Sequence, residues 1–95
     1  HHHADEVFAS VGIETPKKFS EETLRNILER IGGGEYGTVL RAKGIIPSDG
    51  GEWIHFDYVP EGIDIRKGAA DYTGRICVIG TQLKEQELRN LFLKG

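Results

Sequence analysis

The sequence predicts an α+β domain in which two helices pack on one face of a mostly antiparallel sheet of four or five strands. Two segments carry apolar residues at helical spacing, and four or five others alternate between apolar and polar residues or are rich in β-branched residues. The predicted order is strand, helix, strand, strand, short strand, strand, helix. With 95 residues, the chain has room for one hydrophobic core and not for two.

The first strand is predicted over residues 6–15, and Pro16 ends it because proline cannot donate to a strand ladder. The first helix is expected to begin after Ser20, whose hydroxyl can accept from an N–H of the first turn. Gly32 and the two glycines after it end the helix. Its apolar residues recur at i, i+3, i+4 and i+7 and form one buried stripe: Leu24, Ile27, Leu28 and Ile31.

A hairpin is predicted from residues 38–46 and 53–59, joined by a turn of Pro, Ser, Asp and two Gly. Because strand side chains alternate, each strand presents one row to the helices and one row away from them. The rows expected toward the helices are Leu40, Ala42, Gly44, Ile46 and Ile54, Phe56, Tyr58. The rows expected away from them are Val39, Arg41, Lys43, Ile45 and Trp53, His55, Asp57, Val59.

Three further elements complete the predicted fold. Residues 63–67 predict a short strand, either separate or continuing the preceding one beyond a kink at Pro60. Residues 75–79 are rich in β-branched side chains and predict the last strand. Residues 84–94 predict a closing helix, whose inward residues are Leu88, Leu91 and Phe92.

The charge and the amino-acid composition of the chain limit the kinds of partner that it can bind. The formal net charge of −3 argues against a nucleic-acid binder and against a polybasic membrane surface. No apolar run approaches the roughly 20 residues that span a bilayer. The single cysteine, Cys77, forms no internal disulfide, which fits a cytoplasmic protein. Residues 1–3 are interpreted as the remnant of an affinity tag, which leaves residues 4–95 as one domain.

The sequence predicts no catalytic or metal site. The glycine-rich stretch from Gly32 to Gly37 lacks the lysine of a phosphate-binding loop, and it follows a helix instead of opening one. No oxyanion loop accompanies Cys77 and His55, so we expect the chain not to be an enzyme. His55 and Asp57 share a strand face and are weak metal candidates, because two ligands leave most of a tetrahedral shell unfilled. A small metal-binding module using His55 and Asp57, with Cys77 as a further ligand, stays open as an alternative function.

One surface is predicted to bind a partner. Arg41, Lys43, Trp53 and His55 all point away from the helices, and Trp and Arg are enriched in the energetic centres of interfaces. The alternative interpretation is an ordinary solvated face stabilised by cross-strand charge pairs.

The segment Leu-Arg-Ala-Lys-Gly ending at Gly44, preceded by a Phe-Ser-x-x-x-Leu helix, resembles the C-terminal domain of the CobW family. The aromatic strand 53–59, the strand ending in Ile79-Gly80 and the closing helix agree with it over residues 7–93. Family members commonly carry an acidic cap where this chain has Lys84.

The resemblance implies a non-catalytic interaction or regulatory domain of a GTPase involved in metal delivery or cobalamin biosynthesis. It implies contact with the GTPase domain of the same chain, with a client metalloprotein or with other copies. GTP and a divalent metal, zinc or cobalt, are implied for the parent protein, and no cofactor is implied for this chain. A third hypothesis is an RNA-binding sheet, which the topology suggests and the acidic balance opposes.

Overall fold

The structure is a computed structural model and describes residues 8–94. The interpreted tag remnant and the predicted strand start at residues 6 and 7 lie outside the described residues. The strands are β1 (Ala9–Thr15), β2 (Thr38–Pro47), β3 (Trp53–Val59), β4 (Gly62–Gly68) and β5 (Gly74–Thr81), and the helices are α1 (Glu21–Ile31) and α2 (Glu85–Lys94).

The five strands form one sheet in the order β1-β5-β2-β3-β4, and every neighbouring pair is antiparallel. The predicted α+β class and element order are thus confirmed. The short strand predicted at 63–67 is a separate edge strand, β4. Val59 pairs with Gly62, so Pro60 and Glu61 form a two-residue turn between β3 and β4.

Both helices pack on the same face of this sheet. Leu28 of α1 and Phe92 of α2 are fully buried in one core with Val78 of β5 and Phe56 of β3. At the start of α1, the Thr23 N–H donates to the Ser20 hydroxyl at 3.0 Å, as the predicted cap requires. Among residues 8–94 the helices cover one side only, and the other side of the sheet is left open by this part of the chain.

The predicted side-chain rows of β2 are wrong at its beginning. The register shifts between Val39 and Arg41, which marks a β-bulge at Leu40. Val39 therefore joins Ala42 in the core, whereas Leu40 is exposed. Simple alternation of side chains fails here because a bulge inserts one extra residue in one strand. The residues before the bulge therefore point to the opposite side from the one that alternation predicts.

Gly44 of β2 lies in a crowded part of the sheet. It pairs with Phe56, and a Cβ added at Gly44 would lie 2.6 Å from the Phe56 ring and 2.5 Å from the Arg75 carbonyl oxygen. The absence of a side chain lets the Phe56 ring lie over the strand, where it is 1% exposed. The glycine of the Leu-Arg-Ala-Lys-Gly segment is therefore a packing requirement of the central strands.

Candidate functional site

The sheet face opposite the helices carries the predicted partner-binding side chains. On β3, Ile54, Phe56 and Tyr58 are buried, while the residues between them are half-buried or exposed, as predicted. The strand registers place Arg41, Lys43 and Ile45 of β2 on this open face, between Cys77 of β5 and Asp57 of β3. We call this side of the sheet the open face.

Asp57 is the centre of a charge network across three strands. Its Oδ1 accepts a hydrogen bond from Arg41 Nη2 at 2.9 Å, and its Oδ2 lies 3.4 Å from Arg66 Nη2. Arg66 also donates to Asp64 on its own strand. The hydrogen bond from Arg41 is the largest cause that holds the pKa of the Asp57 carboxyl below its usual value, against a smaller opposing effect of burial. Asp57 thus remains ionised at neutral pH and fixes both guanidinium groups.

Lys43 lies directly opposite Asp57 in the β2–β3 register, yet the two side chains form no ion pair. Both Asp57 oxygens contact arginines, which reach them along the diagonals of the sheet. Within residues 8–94, Lys43 has no carboxylate within 4 Å of its ammonium group. The Lys43 side chain is exposed to solvent, and no carboxylate within residues 8–94 pairs with its ammonium group.

His55 is engaged with the end of β4. Its Nε2 lies 2.9 Å from the Ala69 carbonyl oxygen, and because that oxygen only accepts, Nε2 carries the proton. The ring rests against Gly68, where an added Cβ would lie 2.5 Å from it. His55 thus holds the start of the segment between β4 and β5, and its Nδ1 is the ring nitrogen that this bond leaves free.

Arg75 anchors that same segment from β5. Its Nη2 donates to the Tyr72 hydroxyl at 2.7 Å, its guanidinium carbon lies 4.9 Å from the Tyr72 ring centre, and its Nε lies 3.6 Å from Asp71 Oδ2. Tyr72 itself is 76% exposed. The β2–β5 register places Arg75 opposite Ile45 on the open face.

An open depression of about 460 Å³ lies between these side chains, and its volume falls in the range of ordinary ligand sites. Four cationic side chains and one carboxylate line it, a formal excess of three positive charges. We call it the basic depression; its charged residues are Arg41, Lys43, Arg66, Arg75 and Asp57.

Of the four predicted partner-binding residues, the structure brings three together and separates the fourth. Arg41, Lys43 and His55 line the basic depression. Trp53 lies at the end of the sheet in a second depression, of about 330 Å³, beside Pro47 and Tyr72. Sequence reasoning did not single out Tyr72, because neither the strand nor the helix period extends into its segment.

The structure also tests the metal alternative. Cys77 is half-buried, because residues 75, 77 and 79 face away from the helices while 76 and 78 face the core. β2 lies between the strands of Cys77 and His55, which are therefore about 10 Å apart in the strand-spacing direction. In the described part of the chain, no three His, Cys, Asp or Glu side chains form a group that could hold a metal ion.

The glycine-rich stretch after α1 ends that helix, as predicted: the Gly32 N–H donates to the Glu29 carbonyl oxygen and the Gly33 N–H to that of Arg30. Neither helix within residues 8–94 is long and apolar enough to cross a membrane.

These features define an α+β domain with one helix-covered face and one charged open face. The family described as "Cobalamin synthesis protein cobW C-terminal domain" matches residues 8–94, so the chain belongs to the CobW C-terminal domain family. The resemblance predicted from the sequence is thus confirmed.

Two solved structures share the fold. One is the Zn(II)-bound YjiA GTPase from E. coli, with a TM-score of 0.73 and 21% identity over 92% of this chain. The other is a Zn(II)-bound triple mutant of the YjiA GTPase, with a TM-score of 0.75, 21% identity and the same coverage of 92%. This chain spans 29% of the length of either YjiA chain. A search of curated proteins gives no match.

Proposed function

We propose that this chain is the non-catalytic accessory domain of a cytoplasmic CobW-type GTPase, and that its open face contacts the GTPase domain or a client protein. The observation that supports the proposal is the open face of the sheet. Helices cover one side of the five strands, and the other side presents charged and aromatic side chains that hydrogen bonds hold in place. Such fixed side chains lose little rotamer freedom when a partner binds.

The wider role is also a proposal. The two similar structures are titled as zinc-bound GTPases, and this chain corresponds in length to about a third of each. We therefore assign GTP and a divalent metal, zinc or cobalt, to the rest of a longer parent protein, which would act in metal delivery or cobalamin biosynthesis. In such a protein the accessory domain would respond to nucleotide state only through contacts that differ between the two states.

Association in trans tests the proposal. The chain is mixed with the separately produced GTPase domain encoded with it, and the affinity is measured by isothermal titration with GTP and with GDP. We expect the Arg41→Ala, Trp53→Ala double variant to weaken binding by about tenfold or more, because interface Trp and Arg truncations commonly cost this much. The same double variant in the parent protein should change the rate of GTP hydrolysis or client binding.

Arg30→Ala is the matched control, because Arg30 is exposed on α1 and forms no ion pair within residues 8–94. We expect it to leave the affinity unchanged. The proposal is wrong if the double variant binds and functions like the wild type, or if Arg30→Ala weakens binding equally.

A further inference from the structure

We propose that the basic depression receives an acidic segment of a partner protein, with a partner carboxylate seated against Lys43. This inference rests on the function proposed above, and it adds the chemistry of the partner surface. It concerns the middle of the open face, whereas the Trp53 depression at the end of the sheet plays no part in it.

The depression is positively charged, although the chain as a whole is negatively charged. Its positive charge therefore arises from the local arrangement of side chains. The whole chain carries a formal charge of −3, yet the side chains that line the depression carry an excess of three positive charges. Asp64 and Asp71, outside the lining, pair with Arg66 and Arg75, so the charge of Lys43 is the one that has no carboxylate partner within residues 8–94. Interfaces place positive surface against negative surface, which steers the encounter and disfavours wrong partners. A concave positive region on an acidic domain is therefore complementary to a protruding acidic segment.

Lys43 supplies the direct contact. Its ammonium group has no carboxylate partner within residues 8–94, although it stands opposite Asp57 in the register. An incoming carboxylate therefore has no internal ion pair to displace at Lys43.

The neighbouring arginines support that contact because they are held before the partner arrives. Asp57 fixes Arg41 and Arg66, and Tyr72 fixes Arg75. A guanidinium group carries five N–H donors, and Arg41 uses only one of them in this network. The remaining donors can bind a second partner carboxylate without much further loss of side-chain freedom.

Other occupants fit the depression less well. A divalent cation would meet four cationic side chains and a carboxylate already bonded to two of them. Single-stranded RNA needs aromatic side chains on which bases stack. The wall holds two aromatic rings: that of Phe56, which is 1% exposed and faces the core, and that of His55, which rests against Gly68.

The test uses fluorescein-labelled hexaglutamate with blocked termini, titrated into the tag-free chain at 50 mM salt, with amide NMR shifts recorded in parallel. We expect saturable binding that weakens at 300 mM salt, with the largest shifts in residues 41–45 and 75–79. Lys43→Glu should weaken binding by about fivefold, which is the upper range for removal of one exposed ion pair.

Lys84→Glu makes the same charge change on an exposed residue at the start of α2 and should change the affinity less than twofold. Thermal melts of both variants establish that each is folded, and Arg75→Glu serves as a second variant within the depression. A hexauridylate and zinc chloride are titrated as the competing occupants.

The inference is overturned if hexaglutamate shows no saturable binding, if Lys43→Glu and Lys84→Glu lose affinity equally, or if hexauridylate or zinc binds more tightly. Titration of the Lys43→Glu variant with the GTPase domain shows whether Lys43 contributes to binding of that domain. It thereby distinguishes failure of the acidic-segment inference from failure of the proposed function. If hexaglutamate fails while Arg41→Ala, Trp53→Ala still weakens binding of that domain, the acidic-segment inference alone is wrong. If the double variant also has no effect, both are wrong.

Discussion

Replacing Gly44 with alanine tests the packing of the sheet on which the open face is built. The new Cβ would lie 2.5 Å from the Arg75 carbonyl oxygen and 2.6 Å from the Phe56 ring, both shorter than any relaxed contact. Neither group moves freely, because one belongs to the backbone of β5 and the other is 1% exposed. Overpacking of this kind costs about 1–3 kcal/mol, whereas removing a strand glycine returns about 0.5–1 kcal/mol.

The expected net loss for Gly44→Ala lies between about 0 and 2.5 kcal/mol and is about 1.3 kcal/mol at the midpoints, which corresponds to a fall in Tm of about 5–10 °C for a domain of this size. Urea unfolding followed by the fluorescence of the single tryptophan, Trp53, measures it. The midpoint should fall while the m-value stays constant, since the same surface is exposed on unfolding.

Gly12→Ala is the matched control. An added Cβ at Gly12 meets nothing within 4 Å, so we expect the free energy of unfolding to stay the same or to rise by up to about 1 kcal/mol. In a double-mutant cycle, Phe56→Leu should recover part of the loss caused by Gly44→Ala, with a coupling of about 0.5–1 kcal/mol. The packing explanation is refuted if Gly44→Ala is as stable as the wild type, or if the two substitutions are additive.

Three further predictions concern the cap, the charge network and the metal alternative. Ser20→Ala should lower the free energy of unfolding by about 1 kcal/mol, because it removes the acceptor for the Thr23 N–H, and an unchanged urea midpoint would contradict the cap. Because the pKa of Asp57 is lowered in the folded state, its contribution to stability is complete above the unfolded value of about 3.8 and is lost as pH falls through the lowered folded value. Asp57→Asn should thus be less stable than the wild type at pH 7, by under about 1 kcal/mol, and the difference should close as the pH falls below the lowered pKa of Asp57; a difference that is independent of pH would contradict this. Titrated with zinc, the tag-free chain should show no stoichiometric binding, and submicromolar binding lost in His55→Ala would support the metal-binding module instead.

Much of the fold follows from short-range patterns in the sequence. The cap at Ser20, the apolar stripe of α1 and the alternation in β3 are local, so the residues themselves determine them. The bulge at Leu40 is not local. It arises where β2 meets β5, and nothing in the order of residues 38–42 distinguishes an inserted position from ordinary alternation.

The candidate site shows the same limit. The sequence predicts that Arg41, Lys43 and His55 share a face, and the structure agrees. It does not predict that both oxygens of Asp57 are taken by Arg41 and Arg66, which leaves Lys43 unpaired, because that depends on the registers of three strands. Trp53 lies on the same side of β3 as His55 and Asp57. Because it is the first residue of β3, however, it lies near Tyr72 and not in the basic depression.

The most direct test of the central claim is NMR cross-saturation of the labelled chain in complex with the GTPase domain of the proposed parent protein. If the open face is the docking surface, saturation should transfer to amides of β2, β3 and β5, while those of α1 and α2 keep their intensity. Transfer centred on the two helices, with none to the three strands, would contradict the account.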